Sequence, residues 1–390
     1  MPARRRVACV YGVRLGPGGL AVQSANAVAA LADPRVELHA IGPPAIHWPR
    51  TAARPAVSWH ALAPAASWWS AWPWVRSFSG AAQIAHDVRI GRAAAAHLDE
   101  VQPDLVYAFT LVGLESLQWA RARGVATVLE SPNGHIRHFR AVYVEEHRAW
   151  CSGRYRGHPT PAMVDRVEEE YALADRIRVS SRWAMSSLID GGVPASKITV
   201  LQQPVDLARY HPPASRIPAD GPLRVVFVGS LDLRKGFVYL LDAVRATDGR
   251  VSLEMLGGTV DRCTRHLLAR HASGLRVTAR PGDPREAYHR AELAVLPTLE
   301  DGSPFAVAEA MSSGLPVVVT DRCGAREWVE PGRTGWIVAG RSADLIARAL
   351  DDALARRDRL GEMGTAARRA TEARAGAARC DRAAADWVLA

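Results

Sequence analysis

Lysine is almost absent from this basic chain, because only Lys197 and Lys235 are lysines among its 49 lysine and arginine residues. Cysteine is sparse as well: five cysteines are scattered over 390 residues, and the nearest two, Cys323 and Cys380, lie 57 positions apart. This spacing excludes CxxC pairs and the usual patterns of cysteine zinc sites. Together with the odd count, it predicts no disulfide framework and favours a reducing cytoplasm.

Long apolar segments are missing too. The longest stretch without Asp, Glu, Lys or Arg covers residues 55–75, and it contains three prolines and several serines. Proline interrupts helical hydrogen bonding, so we expect no membrane-spanning helix there. The basic start at Arg4–Arg6 is followed by an apolar run that is too short for a signal peptide.

The overall composition is that of an ordinary globular protein, with 48% hydrophobic and 23% charged residues. These values exclude a disordered chain, and at about 100–200 residues per domain the length favours two domains. The formal net charge of +9 is compatible with a nucleic-acid binder. It is equally compatible with a protein that meets anionic lipids or a phosphorylated substrate, so charge alone does not decide between them.

Apolar runs of strand length alternate with helical patterns along the chain, which predicts βαβ units and parallel sheets. The predicted strands are 7–11, 36–41, 105–109, 125–129, 177–180 and 198–201, then 225–228, 251–256, 293–296, 316–319 and 336–338. A linker rich in proline and glycine separates the two series at 211–222. We therefore predict an α/β protein with two facing Rossmann-like domains and a deep interdomain cleft, where such sheets bind ligands. The predicted boundaries are 1–205, 206–375 and a closing helix at 376–390 that could cross back to the first domain.

The strand at 225–228 runs into Gly229-Ser-Leu-Asp-Leu-Arg-Lys-Gly236 and then into a helical pattern. A glycine turn before a helix presents free backbone N–H groups to an anion. Arg234 and Lys235 add two adjacent cations at this turn, which suits a diphosphate. A lysine is informative here, because the chain uses arginine almost everywhere else.

A second motif begins where the strand at 293–296 ends. It reads Pro297-Thr-Leu-Glu-Asp-Gly-Ser-Pro-Phe-Ala-Val-Ala-Glu-Ala-Met311, a loop followed by a helix. Asp301 lies in the loop, and Glu309 lies two turns into the helix. Carboxylates accept hydrogen bonds from neighbouring hydroxyl groups, so this pair suits a sugar or a ribose.

These two segments together resemble the donor-binding region of the family 4 retaining glycosyltransferases. The resemblance includes Phe227–Gly236 and Pro297–Gly335, and Glu169–Asp175 with Gly192–Asp206 extend it toward the middle of the chain. It covers about residues 165–340 strongly and the first 160 loosely. The family has the GT-B fold of two Rossmann-like domains, which agrees with the strand pattern.

The resemblance implies roles for the matching residues. Arg234 and Lys235 would bind the donor diphosphate, and Glu309 would bind the ribose hydroxyls. The transferred sugar would be held by Asp301, Gly302, Ser303, Pro304 and Phe305. Asp301 stands where the family has a longer glutamate, so either the site is tighter or Glu300 substitutes.

The first half of the chain contains a weaker glycine motif. Gly16-Pro-Gly-Gly-Leu-Ala21 precedes a helical pattern, and Glu37 follows about twenty residues later, as in a dinucleotide fingerprint. An NAD(P)-dependent Rossmann oxidoreductase is therefore the alternative. In the glycosyltransferase interpretation, Gly18 and Gly19 let the backbone approach the donor diphosphate or the acceptor.

The loop Ser131–His138 resembles the family loop that carries a histidine at the reaction centre. His135 fits this position best, with His138 as the alternative.

Six of the twelve tryptophans fall within residues 48–74. Tryptophan prefers the membrane interface, and nearby arginines attract anionic headgroups, which favours a lipid-linked acceptor met at the membrane surface. Packing inside the domain and a sugar-stacking wall explain the cluster equally well. A non-catalytic basic protein that binds membrane or nucleic acid is the further alternative, although no recognised nucleic-acid motif is present.

The sequence thus predicts a retaining glycosyltransferase for envelope polysaccharide, glycolipid or natural-product biosynthesis, with His135, Asp301 and Lys235 as candidate catalytic residues. The acceptor would be a carbohydrate, a lipid-linked molecule or a small molecule, and we expect no nucleic-acid partner. No two aspartates lie at positions i and i+2, so the Asp-x-Asp metal site of the other major glycosyltransferase fold is absent. We expect no metal and no cofactor besides the nucleotide sugar, and a cytoplasmic protein with peripheral contact at the inner membrane face.

Overall fold

A computed structural model describes residues 4–15, 19–44, 57–62, 80–151, 157, 159–215, 220–259 and 261–390. The chain divides into two compact units. The first unit comprises Met1–Arg140, Arg156–Pro204 and Ala377–Ala390, and the second comprises Ala141–Tyr155 and Val205–Gly376.

Within its described residues, the first unit has one parallel sheet of seven strands in the order β3-β2-β1-β4-β5-β6-β7. The strands are β1 (Arg5–Val10), β2 (Val36–Gly42), β3 (Val57–Ala61), β4 (Leu105–Phe109), β5 (Ala126–Glu130), β6 (Arg176–Val179) and β7 (Ile198–Val200). The connecting helices are α1 (Gly19–Leu31), α2 (Gly80–Val101), α3 (Leu114–Arg123), α4 (Ile136–Trp150), α5 (Pro161–Leu173) and α6 (Arg182–Asp190). All five residues of β4 are buried, as expected of a central strand covered on both faces.

The described part of the second unit repeats this design with six parallel strands in the order β10-β9-β8-β11-β12-β13. They are β8 (Leu223–Val228), β9 (Val251–Leu256), β10 (Val277–Arg280), β11 (Leu293–Leu296), β12 (Val317–Thr320) and β13 (Gly335–Val338). Its helices are α7 (Phe237–Ala246), α8 (Arg262–Ala272), α9 (Pro284–Arg290), α10 (Phe305–Ser312), α11 (Ala343–Ala355) and α12 (Leu360–Ala375). This strand order is that of the Rossmann fold, so the predicted Rossmann-like α/β class is confirmed for both units.

Two edge strands, β3 and β10, were missed by the sequence prediction. Three of the four residues of β10 are exposed, and β3 is exposed or half-buried throughout. An edge strand has a neighbour on one side only, so these strands need no continuous apolar run.

The last helix, α13 (Ala377–Leu389), belongs to the first unit. Arg176 donates a hydrogen bond of 2.6 Å to the carbonyl of Trp387, and its guanidinium lies 4.8 Å from the centre of the indole ring. Arg5 donates at 2.9 Å to the carbonyl of Leu389. Two arginines thus bind the backbone at the end of the chain, where carbonyls at a helix C-terminus favour cations.

The second unit also includes residues Ala141–Tyr155, which the predicted boundaries place within the first domain, 1–205. The end of α4 is tied there by side chains: Arg341 contacts Glu146 at 2.5 Å and Glu145 at 2.6 Å. The ring of Trp150 packs edge-on against Tyr239, with centroids 5.4 Å apart. These contacts join positions far apart in sequence, so strand periodicity gave no sign of them.

The expectation of no disulfide framework is also wrong. Cys151 and Cys263 form a disulfide within the second unit, with Cα atoms 6.1 Å apart across 112 residues of sequence. The other three cysteines are buried and unbridged. Spacing could not reveal this pair, because only the fold brings the end of α4 next to α8.

The tryptophan cluster lies mostly outside the described residues. Trp59, on β3, is the member that is described, and it is 40% exposed. Over the described part of the chain, no helix is both long and apolar enough to cross a membrane.

We predict that replacing Cys151 and Cys263 together by serine lowers the free energy of unfolding by about 2–4 kcal/mol, since a closed loop of this length restricts the unfolded chain. Denaturant titration without reductant measures the difference. Reductant should lower the wild-type stability to the level of the variant and leave the variant unchanged. Five reactive thiols in the denatured, non-reduced wild type, instead of three, would contradict the bridge.

Candidate functional site

The site of the second unit lies where two neighbouring strands end. β8 and β11 pair in parallel, with Val225 opposite Leu293 and Val226 opposite Ala294. Their carboxyl ends therefore lie side by side at the edge where doubly wound sheets bind ligands. Each strand leads into one of the two predicted motif loops.

The first loop is a tight turn built by its own side chains. Asp232 accepts a hydrogen bond of 3.1 Å from the backbone N–H of Lys235, and Ser230 donates to the same carboxylate at 2.5 Å. Gly236 ends the turn with φ of 70° and is the residue directly before α7. A side chain there would be strained and would collide with the carbonyl of Pro297, so the motif requires glycine.

The second loop is tied to the backbone of the first. The N–H of Leu299 donates to the carbonyl of Arg234 at 2.8 Å, and the Thr298 hydroxyl donates to the same oxygen at 3.2 Å. On the other side, the carbonyl of Asp301 accepts from the N–H of Gly324 at 3.0 Å. The carboxylates that follow Leu299 are therefore held beside the two cations of the first loop.

Four charged side chains are paired in this place. Nη1 of Arg234 lies 3.1 Å from Oε2 of Glu300 and 3.6 Å from Oδ2 of Asp301. Nζ of Lys235 forms a short contact with the Asp301 carboxylate. The Glu300 side chain is fully buried and holds Arg234, so Glu300 pairs with this cation, and the Asp301 carboxylate lies next to Lys235.

The charge states follow from these pairs. Burial opposes the ionisation of Asp301, but the cations of Lys235 and Arg234 outweigh it and lower the pKa of its carboxyl. Burial also opposes the charge on Arg234, yet Tyr143, Asp232 and Glu300 raise the pKa of its guanidinium well above the ordinary value. Asp301 and Arg234 are therefore both charged at neutral pH.

Glu309 lies on α10 within a separate hydrogen-bonded group. The hydroxyl of Tyr288 donates to Oε2 of Glu309 at 3.3 Å, and Tyr210 also hydrogen-bonds this carboxyl. Burial raises the pKa of Glu309 to about 7, although both tyrosine hydroxyls lower it. The carboxyl can thus accept hydrogen bonds from hydroxyl groups, and it gains or loses its proton near neutral pH.

The predicted sugar-binding loop leads into α10. The backbone N–H of Ser303 donates to the Asp301 carboxylate, and Pro304 precedes the first residue of the helix, Phe305. Gly302 is buried in the same turn. Ser303 is thus in contact with Asp301, and the sugar-binding role of the segment stays a prediction.

His135 lies in the first unit and is only 3% exposed. Its Nδ1 accepts a hydrogen bond of 3.2 Å from the N–H of Arg137, and its Nε2 lies 4.0 Å from Glu168. Burial lowers the pKa of the imidazole, so the ring is neutral at pH 7 with its proton on Nε2. The backbone of Gly191 packs against this ring so closely that any side chain at 191 would collide with it.

The alternative histidine, His138, is half-buried in the first turn of α4. Its ring lies edge-on to Trp183, with centroids 5.8 Å apart. Both histidines lie shortly after β5 in the first unit. Because their positions in the fold are so similar, the choice of His135 over His138 stays a prediction.

The glycine motif of the first half is only partly described. Gly19 is the first residue of α1, whereas Gly18 lies outside the described residues. Glu37 is the second residue of β2 and contacts Arg6 at 3.5 Å and His39 at 3.2 Å. A dinucleotide fingerprint needs its carboxylate at the carboxyl end of this strand, about five residues or ~16 Å away, so Glu37 does not complete one.

Three tyrosines at these sites escaped the sequence analysis: Tyr143 beside Arg234, and Tyr210 and Tyr288 beside Glu309. None lies in a motif, and each comes from a segment remote in sequence from its partner. Within the described residues, no three His, Cys, Asp or Glu side chains are grouped to hold a metal ion.

Comparison with known proteins agrees with this geometry. The family model described as Glycosyl transferases group 1 matches residues 222–356. The putative colanic acid biosynthesis glycosyltransferase WcaL of Escherichia coli is 30% identical over 187 residues, covering 44% of this chain and 45% of WcaL. A GDP-mannose-dependent alpha-mannosyltransferase of Mycobacterium tuberculosis is 30% identical over 247 residues, 60% of each chain. The chain thus matches about half the length of these relatives.

Solved structures match over the whole chain. Sucrose-phosphate synthase of Thermosynechococcus elongatus has a TM-score of 0.78 at 19% identity, covering 99% of this chain and 98% of that one. HepE of Anabaena in complex with UDP-glucose has a TM-score of 0.70 at 13% identity, covering 98% and 99%. These likenesses confirm the predicted GT-B class of two Rossmann-like domains. Over residues 222–356, the chain is therefore similar to the glycosyl transferases group 1 family.

Proposed function

We propose that this protein is a glycosyltransferase that moves a sugar from a nucleoside diphosphate sugar to an acceptor hydroxyl, with retention of the anomeric configuration. The observation that carries the proposal is the cation pair Arg234 and Lys235, held beside Asp301 where β8 and β11 end. Two adjacent cations and a sugar-binding carboxylate are what a diphosphate joined to a sugar requires.

The donor would bind by exchange of partners. The diphosphate oxygens replace the Asp301 carboxylate on Lys235 and Arg234, while Glu300 keeps its contact with Arg234. Asp301 is then available to accept hydrogen bonds from the sugar hydroxyls. As the glycosidic bond breaks, negative charge grows on the leaving diphosphate. Fixed cations stabilise this charge more than the ground state, which lowers the barrier. We assign no covalent nucleophile and no metal to the reaction.

Glu309 would accept hydrogen bonds from both ribose hydroxyls, while Tyr210 and Tyr288 hold its carboxyl in place. Gly18 and Gly19 would let the backbone of the first unit approach the diphosphate. His135 remains the candidate histidine of the reaction centre, and its neutral ring with the proton on Nε2 is suited to donate a hydrogen bond to a hydroxyl.

The substrates are proposed at the level of classes. The mannosyltransferase relative is named for GDP-mannose, and HepE was solved with UDP-glucose. These two donors are therefore the first to test. WcaL is named for colanic acid biosynthesis, which supports a carbohydrate or lipid-linked acceptor in polysaccharide assembly.

We propose a cytoplasmic location with peripheral contact at the inner membrane face. The disulfide Cys151–Cys263 is the observation that speaks against it, because reducing compartments keep thiols unpaired.

The direct test is slow hydrolysis of a panel of nucleotide sugars, followed by transfer to candidate acceptors. We expect release of the nucleoside diphosphate from one donor, unchanged by a chelator, and a product with the donor's anomeric configuration by NMR. Stabilisation by NAD or NADP together with inactivity toward every nucleotide sugar would instead support the oxidoreductase. Salt-dependent DNA binding without any turnover would support a basic binding protein.

Lys235→Ala should lower kcat by about 10²-fold or more, because the leaving diphosphate loses one fixed positive charge. Lys197→Ala is the matched control, since Lys197 is the other lysine of the chain and donates to backbone carbonyls in the first unit. Lys235→Arg should recover part of the rate. Equal activity of the Lys235→Ala and Lys197→Ala variants would refute the role of Lys235.

The affinity for the donor should depend on pH through Glu309. The carboxyl has its pKa raised to about 7, and only the ionised form accepts both ribose hydroxyls. Binding of the nucleotide sugar should therefore weaken as the pH falls below 7, approaching tenfold per pH unit, and level off above about 8. Calorimetry with an intact nucleotide sugar measures this without interference from a terminal phosphate. Glu309→Gln should bind more weakly with a flat profile, and the same pH dependence in that variant would exclude Glu309.

A further inference from the structure

The end of α4 and the residue after it carry four groups that contact the main segment of the second unit, Val205–Gly376. Tyr143, Glu146 and Trp150 are spaced by three and four residues, so they lie on one face of the helix. Cys151 follows directly and forms the disulfide with Cys263. We call residues 141–151 the strap.

The strap is anchored at its far end by buried polar and aromatic contacts. The side chain of Glu146 is 2% exposed and accepts from Arg341 at 2.5 Å and from the Tyr239 hydroxyl at 2.9 Å. The Trp150 ring meets both Tyr239 and His271, with centroids 5.4 and 5.5 Å apart. A buried carboxylate with these partners, followed by a covalent bond, fixes the helix against rotation and sliding.

At the near end, the fixed helix presents Tyr143 to Arg234. The Arg234 guanidinium donates a hydrogen bond to the phenol oxygen of Tyr143. On the other side, Nη1 of Arg234 donates to the backbone oxygen of Glu300 at 2.6 Å and to its carboxylate at 3.1 Å. The guanidinium is therefore held from two directions by groups that lie far apart in the sequence.

This arrangement matters because an arginine recognises phosphate through a planar fork whose orientation must match the oxygens. Glu300 alone would let the guanidinium turn about this contact, toward Asp301 and away from an incoming anion. A neutral phenol oxygen restrains the fork without adding a negative charge that would repel the diphosphate.

We propose that Tyr143 is a positioning residue that orients Arg234 toward the donor diphosphate, and that the strap is the device that holds it there. The inference rests on the proposed function and adds a residue outside the matched segment 222–356. Tyr143 acts through Arg234, so its contribution should vanish when Arg234 is absent.

The test is a double-mutant cycle with the donor that the wild type hydrolyses. Tyr143→Phe keeps the ring and removes the acceptor oxygen, so we expect the fold and the thermal midpoint to change little. It should lower kcat about 10-fold and change the donor KM by less than about 3-fold. The reason is that a misoriented Arg234 guanidinium loses most of its stabilising effect in the transition state, where negative charge develops on the diphosphate. In the Arg234→Ala background, Tyr143→Phe should have no further effect.

The inference would be overturned if Tyr143→Phe lowered kcat by the same factor in the wild-type and Arg234→Ala backgrounds. An unchanged kcat in the single variant Tyr143→Phe would overturn it as well. Failure of the proposed function is recognised separately, because the wild type would then turn over no nucleotide sugar. In that case binding of inorganic pyrophosphate decides the role of Tyr143, because pyrophosphate already carries the negative charge that the donor diphosphate gains only as it leaves. Tyr143→Phe must weaken that binding in the wild-type background and leave it unchanged in Arg234→Ala, and any other result refutes the inference.

Discussion

The parallel pairing of β8 with β11 is the constraint on which the site depends. It aligns the carboxyl ends of two strands that are separated by about 65 residues of chain, and it brings the loops at 229–236 and 297–304 together. The backbone contact between Leu299 and Arg234 then fixes the distance between them. Without this pairing, the cations and carboxylates would be ordinary surface charges, whose attraction in water is worth about 1 kcal/mol or less.

Charge pairing in the site follows from the same geometry. Arg234 and Lys235 are mostly buried, and isolated charges in such places cost several kcal/mol each. Glu300 and Asp301 compensate these charges. The two pairs are not equivalent: Glu300 is fully buried and tied to Arg234, whereas Asp301 accepts a backbone N–H from Ser303 in the loop before α10. The first pair is suited to permanent support, and the second is suited to exchange with a ligand.

The fold of the second unit reaches beyond the matched segment. A helix that starts after β5 in the first unit ends in the second, tied there by Glu146, Trp150 and the Cys151–Cys263 bridge. The same helix carries Tyr143 to the guanidinium of Arg234. Residues that a motif search assigns to one domain thus complete the ionic site of the other.

The sequence by itself determined the fold class and the positions of the two motif loops. Buried parallel strands need continuous apolar runs, and Gly236 is required by a turn with positive φ against a neighbouring carbonyl, so both leave a local signature. The edge strands β3 and β10, the Cys151–Cys263 bridge and the tyrosines beside Arg234 and Glu309 were decided only by the tertiary structure. The same holds for Glu37. Its distance in sequence from the glycine motif fits a dinucleotide fingerprint, but the structure places it at the amino end of β2 and not at the carboxyl end. The physical reason is that an exposed strand needs no pattern, and a contact between distant residues depends on the whole path of the chain between them.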